Sequence, residues 1–267
     1  MKIKLIENNK LDHKLWEKDL YTQKIDYIIN SIINEYDMKR AGFNLSIYYG
    51  LLDDNIIKYL SLLPKDEQTR RIGLIRRDDR DFNKRLSKAF KDMRERFFID
   101  NNIQEKHVLS IKKDAIFLIN KTCDKTTYRN IEFILKNKYT SFHRFDKMEF
   151  YYKNNNRKLD VKGIKDEKLI LHKKYMLSFL KDVFHTLEVS SNERVIYRIK
   201  KFASQYKTRM LSKEYYRELN SDSAFSLMVN DTNIKAIEYI DGYDIDYSYN
   251  YMTYILKLIQ RYFFISD

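Results

Sequence analysis

Two aspartates have the residue type and the setting that phosphoryl-transfer chemistry uses. Asp37 ends the apolar segment "IINEYD", and Asp114 lies in "VLSIKKDAIFLI", where Lys112, Lys113 and Asp114 separate two apolar blocks. Carboxylates at strand termini, with a strongly basic helix between them, can bind a pair of hard Mg²⁺ or Mn²⁺ ions roughly 4 Å apart. Such a pair holds the attacking and leaving oxygens in line. Glu35, two residues before Asp37 and on the same face if the segment is a strand, can supply a further carboxylate. Each residue also has a plainer reading. Asp37 fits a helix N-cap, Asp114 a solvated turn whose charge deters edge pairing, and Glu35 an exposed strand-end charge.

The elements that must position these residues read as an α+β chain. Apolar spacing predicts a helix over 11–33, although "YIINSIINEYD" also suits a strand ending at Asp37. A short helix follows in "MKRAGFNLSIYYGLL", with Ala41, Leu45 and Tyr48 or Tyr49 on one face and Gly50 as its stop. A second starts near Asp53 or Asp54 and breaks before Pro64, and a basic segment begins at Lys65. The clearest helix starts at Phe82, with Leu86, Ala89 or Phe90, Met93 and Phe97 at spacings of three and four. From Val108 to Phe150 the blocks "VLSI", "AIFLI", "IEFIL", "YTSFHRF" and "MEFYY" predict an antiparallel sheet. The near-symmetric blocks around Lys112–Asp114 make those charges the tip of a hairpin. That tip lacks the Asn-Gly or Asp-Gly that a two-residue turn prefers. Beyond residue 165 amphipathic helices are expected over 166–189, over roughly 193–210 and in "YNYMTYILKLIQRYFF".

Composition narrows the function classes. The formal net charge is +13, carried by residues 70–99 (+6) and 100–218 (+12), while 1–69 and 219–267 sum to −1 and −4. A field of that sign suits a polyanion, because cations that neutralise phosphates release counterions. A lysine-rich solvated surface is the plainer account. One cysteine, Cys123, excludes an internal disulfide, and no run of about 18 apolar residues suggests a membrane span. A cytoplasmic protein is expected. The five histidines lack metal-ligand spacing. Aromatics among basic residues in "KYTSFHRFDKMEFYYK" can stack bases, or form the inner face of a strand pair.

Several segments together resemble the palm of template-directed DNA polymerases of families A and B. "EYDMKRAGFNLS" is similar to the first palm motif and "LSIKKDAIFLI" to the third, and "QTRRIGL" lies where the fingers motif is expected. "KYTSFHRFDKMEFYYKNNNRKLDVKG" is similar to the family B segment that follows the palm. The resemblance spans roughly residues 31–165. It implies that Asp37 and Asp114, with Glu35 as a replacement carboxylate, bind Mg²⁺ or Mn²⁺. Arg70, Arg71 and Lys113 would meet the nucleoside triphosphate. Lys84, Lys88, Lys138, Arg144 and Lys162 would hold the primer–template. It also implies a palm-like domain over 1–164 with minimal fingers and a helical segment 1–30, and a helical thumb-like region over 165–267. The chain departs from the pattern in two ways. Only 76 residues separate Asp37 from Asp114, and the third motif has one carboxylate, Lys-Asp-Ala.

The expected function is a polymerase-like nucleotidyltransferase, working alone or in a replication or transcription assembly. A nucleic-acid-binding or regulatory protein with a degenerate palm is the first alternative. A basic inhibitor or interaction protein that meets an acidic protein partner is the second. The Lys-, Asn- and Ile-rich composition suits an AT-rich phage, which would place the protein in the host-cell cytoplasm.

Overall fold

The computed structural model describes residues 14–145, 148–162, 175–208, 210, 226–229 and 232–235. The chain is α+β. Strands β1 (Leu20–Thr22), β2 (Tyr27–Ile28) and β3 (Ile33–Met38) lead into helices α1 (Ala41–Tyr48), α2 (Asp54–Ser61), α3 (Lys65–Asp78) and α4 (Arg80–Asp100). Then come β4 (Val108–Lys112), β5 (Ala115–Ile119), β6 (Thr127–Tyr128), β7 (Ile131–Tyr139), β8 (Ser141–Phe145), β9 (Met148–Lys153) and β10 (Lys158–Lys162). Helices α5 (Tyr175–Val189) and α6 (Asn192–Lys207) follow, and then a strand pair, β11 (Ser226–Val229) with β12 (Thr232–Lys235).

Backbone packing divides the chain into two compact units, one of residues 1–24 and 31–138, the other of 25–30 and 139–267. This division runs through the end of β7. In the first unit the sheet has the order β1-β4-β5-β3-β7-β6. The hairpin β4–β5 is antiparallel, with a register shift between Val108 and Ser110, and β5 is antiparallel to β3.

Helix α4 shows why this unit holds together. Its apolar residues Phe82, Leu86, Ala89, Met93 and Phe97 fall at helical spacing, and all are buried. Phe97 stacks on Phe133 of β7 at 4.1 Å between ring centroids and leans on Tyr36 of β3 at 5.7 Å. Asp79 caps the helix by accepting from the backbone N–H groups of Asp81 and Phe82. The second unit packs β10-β9-β8-β2 with α5, whose Phe184 stacks on the buried His143 of β8.

The strand blocks of 108–153 and helices α1, α2, α4, α5 and α6 lie where their patterns predict. Two expectations are corrected. The helix over 11–33, and with it a helical segment within 1–30, is replaced among the described residues by a short 3-10 turn at Leu15–Glu17 and by β1, β2 and the start of β3. Ile28 and Ile33 are β-branched and buried against partner strands, and Asn30 has a left-handed backbone (φ 54°) that ends any helical run. The basic segment from Lys65, for which the pattern named no element, forms helix α3, with Ile72 buried on its inner side. The region beyond 165 is not all helical, because β11 and β12 pair antiparallel within it. The expected C-terminal helix and the residues of 166–174 lie outside the described residues.

Candidate active site

Strand pairing brings Asp37 and Asp114 side by side. In the β3–β5 register Asp37 faces Ala115 and Glu35 faces Phe117. The Met38 N–H donates to the Asp114 carbonyl at 3.1 Å. Asp37 is the penultimate residue of β3 and Asp114 follows the end of β4, so both carboxylates lie at one end of the sheet. Asp37 is therefore not an N-cap. Arg40, with a left-handed backbone (φ 46°), stands at that position before α1.

The hairpin tip consists of Lys113 and Asp114 between the paired residues Lys112 and Ala115. Lys113 has φ +59°, a conformation that usually selects glycine. Contacts outside the hairpin hold it there. The Lys113 N–H donates to the Asp19 carbonyl at 2.7 Å, and the Lys113 carbonyl accepts from Arg94 Nη1 at 2.7 Å. Arg94 of α4 is fully buried, and its other donors reach the Trp16 carbonyl and Asp19 Oδ1, each at 2.8 Å. The guanidinium fork thus ties α4, the segment before β1 and the hairpin tip into one fixture.

The site has its own cation. Lys136 of β7 places Nζ 2.9 Å from Asp37 Oδ2. That hydrogen bond raises the Lys136 ammonium above its ordinary pKa against the effect of burial, and the charges of Asp37, Glu35 and Asp114 add to it. Burial raises the Asp114 carboxyl above the usual carboxylate range and the nearby Asp37 charge raises it further, while Lys136 and Lys113 act the other way. Glu35 is buried, not exposed at a strand end, and its carboxylate accepts a short hydrogen bond from Asn137 Nδ2.

Nothing in the residue pattern singles out Lys136, Asn137, Arg94 or Asp19. The one visible hint for Lys136 is its place in a basic strand, "LKNKY", that the order of the segments sets after the hairpin.

The donor set suits a hard cation in one respect. One carboxylate on β3 and one at the hairpin tip lie near enough for the Asp37 charge to act on Asp114, and Mg²⁺ is commonly held by one or two carboxylates plus substrate phosphates and water. Among the described residues no cluster of three or more His, Cys, Asp or Glu side chains is placed to hold a metal ion.

The remaining predicted residues are more dispersed. Arg70 and Arg71 lie on α3 and both hold Glu67, at 2.7 and 2.8 Å. Those two hydrogen bonds bring the Glu67 carboxyl down to about 2. Lys84 and Lys88 are exposed on α4, and Lys88 pairs with Asp92 at 2.7 Å. Lys138 is exposed on β7, two residues beyond Lys136. Arg144 of β8, 3.8 Å from Asp26, and Lys162 at the end of β10, opposite Glu149, belong to the second unit. Cys123, read as an inert thiol, is buried, and burial pushes its thiol up to about 11. Among the described residues no helix is long and apolar enough to cross a membrane.

Residues 11–263 match the model of one protein family, described as bacteriophage PBS1 gene 130 protein. No curated protein matches the chain.

Proposed function

The chain belongs to the bacteriophage PBS1 gene 130 protein family, and from its geometry we propose that this phage protein is a polymerase-like nucleotidyltransferase acting on primer–template nucleic acid. The observation that carries this reading is the adjacency of Asp37, on β3, and Asp114, at the tip of the neighbouring hairpin, fixed by the Met38–Asp114 backbone hydrogen bond. The sheet order β4-β5-β3-β7 adds support, because it sets the hairpin carrying Asp114 directly beside the strand carrying Asp37. Palm-like and thumb-like regions, divided near residue 164, are part of the same proposal, as is a place in the host-cell cytoplasm.

In this reading Asp37 and Asp114 hold Mg²⁺ or Mn²⁺, which supplies charge stabilisation to the transferring phosphoryl group and the attacking oxygen. The chain's own part is orientation and electrostatics. The hairpin tip fixes Asp114 through Arg94. Burial concentrates the field of the carboxylates, and Lys136 holds Asp37 in an ion pair. Lys113 projects beside Asp114 toward solvent, where a triphosphate would approach. Arg70 and Arg71 would neutralise phosphate charge after exchanging Glu67 for it. Lys84, Lys88 and Lys138 of the first unit, and Arg144 and Lys162 of the second, are the proposed contacts to the primer–template backbone.

Primer extension with Mg²⁺ or Mn²⁺ tests the reading, comparing the parent with Asp37→Ala and Asp114→Ala. Extension by the parent and a loss of at least about 10²-fold in each variant are expected. Retained binding of primer–template with no extension by the parent, across DNA and RNA substrates, would leave the reading untenable.

One observation favours a second reading. The Lys136 ammonium at 2.9 Å already supplies Asp37 with a cation. A protein that uses this lysine in place of a metal would keep the palm shape and bind nucleic acid without catalysis, as a regulatory part of a replication or transcription assembly.

A further inference from the structure

Within the first unit a second basic cluster surrounds a cleft of about 270 Å³, lined by Tyr48, Arg96, Lys125, Thr127, Tyr128 and Arg129. Arg96 Nη1 donates to the Tyr48 hydroxyl at 2.8 Å, and the Arg96 guanidinium lies 5.3 Å from the centre of the Tyr128 ring. The Arg129 guanidinium lies 5.8 Å from the centre of the Tyr48 ring. The rings hold the two guanidinium groups in place through cation–π contact.

The charges of the cleft do not balance. Arg96 has Asp100 at 3.8 Å, but neither Lys125 nor Arg129 has a carboxylate partner among the described residues. Three cations around one small cleft repel one another, and no carboxylate is among the residues that line it. The backbone is also set unfavourably for the residue present. Arg129 has φ +52°, in the turn between β6 and β7 where asparagine or glycine is at ease.

We propose that this cleft is an anion site for a phosphate of a nucleic-acid strand, separate from the Asp37–Asp114 site. Arg96 follows Arg94 by two residues, a turn of about 200° around α4. The cleft therefore lies on a different face of that helix from the hairpin that Arg94 holds. Guanidinium forks match phosphate oxygens, and the Tyr48 ring offers a face on which a base can stack. An acidic peptide would meet the charges but would make no use of the rings. The inference does not depend on catalysis at the Asp37–Asp114 site, and the experiment below reads binding alone.

The test uses the full chain and the double variant Lys125→Gln/Arg129→Gln, with fluorescein-labelled oligo-dT and ATP as probes and salt concentration varied. Both side chains are exposed, so the thermal midpoint of the variant should match that of the parent. Loss of two phosphate contacts should make the slope of log affinity against log salt about 1.4 shallower, with oligo-dT affinity falling roughly tenfold. Unchanged affinity for both probes would overturn the site. A loss confined to ATP would overturn the strand assignment and make the cleft a free-nucleotide site.

Discussion

Arg94 Nη1 donates to the carbonyl of Lys113 at 2.7 Å, from a side chain with no exposed surface, and the turn that it holds carries a left-handed residue other than glycine. The arginine replaces, by external contacts, the ease of formation that the turn's own residues lack. Arg94→Met would leave the part-buried Trp16 and Lys113 carbonyls without their donor. A loss of about 3 kcal/mol of stability is expected, since each such orphaned group costs roughly 1–3 kcal/mol. Urea denaturation measures the loss. Faster hydrogen exchange at the Lys113 amide would locate it at the hairpin.

Lys113→Gly separates backbone strain from side-chain chemistry. Glycine removes the Cβ penalty of the left-handed conformation, about 1–2 kcal/mol, and gives part of that back as greater freedom of the unfolded chain. A net gain of roughly 0.5–1 kcal/mol in stability is expected. Under the nucleotidyltransferase reading the same variant should bind nucleoside triphosphate more weakly. A variant that is less stable than the parent would show that the Lys113 side chain holds the turn.

Much of this framework is legible in the sequence because short-range patterning specifies it. The strand blocks from Val108 to Lys153 alternate or run apolar between polar turns, and α4 repeats its apolar residues at intervals of three and four, so periodicity reports them. The first strands escape that reading because β1 and β2 are only three and two residues long, and their existence depends on partners about ninety and more than a hundred residues away, such as Leu20 opposite Lys112. Asp37 and Asp114 are legible as a pair because each stands where an apolar segment stops. Lys136 and Arg94 are not. Their roles are set by register and burial across the fold, and an isolated lysine or arginine in a basic chain carries no mark of either.

Asp114 carries a stability cost that a binding site would exploit. Burial and the Asp37 charge raise its carboxyl above the ordinary range, so the folded chain holds that proton more tightly than the unfolded chain does. Stability from this group is thus lost as pH rises from the ordinary carboxylate value through the raised one, and recovered as pH falls. Asp114→Asn removes the ionised group. It should unfold at a higher temperature than the parent at neutral pH, with the difference shrinking as pH falls below the ordinary carboxylate value of about 4, where the carboxyl becomes protonated in both states. Calorimetry at several pH values checks both the sign and the convergence.

Glu67 holds Arg70 and Arg71 away from any phosphate, and its carboxyl, down to about 2, stays ionised at every working pH. Glu67→Gln releases both guanidinium groups. All three groups are at the surface, so the thermal midpoint should change little. If Arg70 and Arg71 meet the triphosphate, titration calorimetry should show tighter nucleotide binding in this variant and weaker binding in Arg70→Gln/Arg71→Gln. Equal affinity in all three proteins would remove these arginines from the nucleotide site.

Lys136→Met decides between the two readings of the acidic pair. In the parent the ammonium lies 2.9 Å from Asp37 and in the field of Glu35 and Asp114, so a divalent cation that binds Asp37 competes with it. Methionine keeps the aliphatic stem and removes the charge. Repulsion between Asp37 and Asp114 is then unopposed by Lys136, and the Asp114 carboxyl should move further up. A metal-binding pair should respond with tighter Mn²⁺ binding, by roughly tenfold if about 1.4 kcal/mol of competing interaction is removed. Titration calorimetry with Mn²⁺ measures the change, with Asp114→Asn in the same background as the control that should abolish it. A Lys136→Met protein that takes up no Mn²⁺ would assign the lysine as the permanent partner of Asp37 and favour the non-catalytic reading.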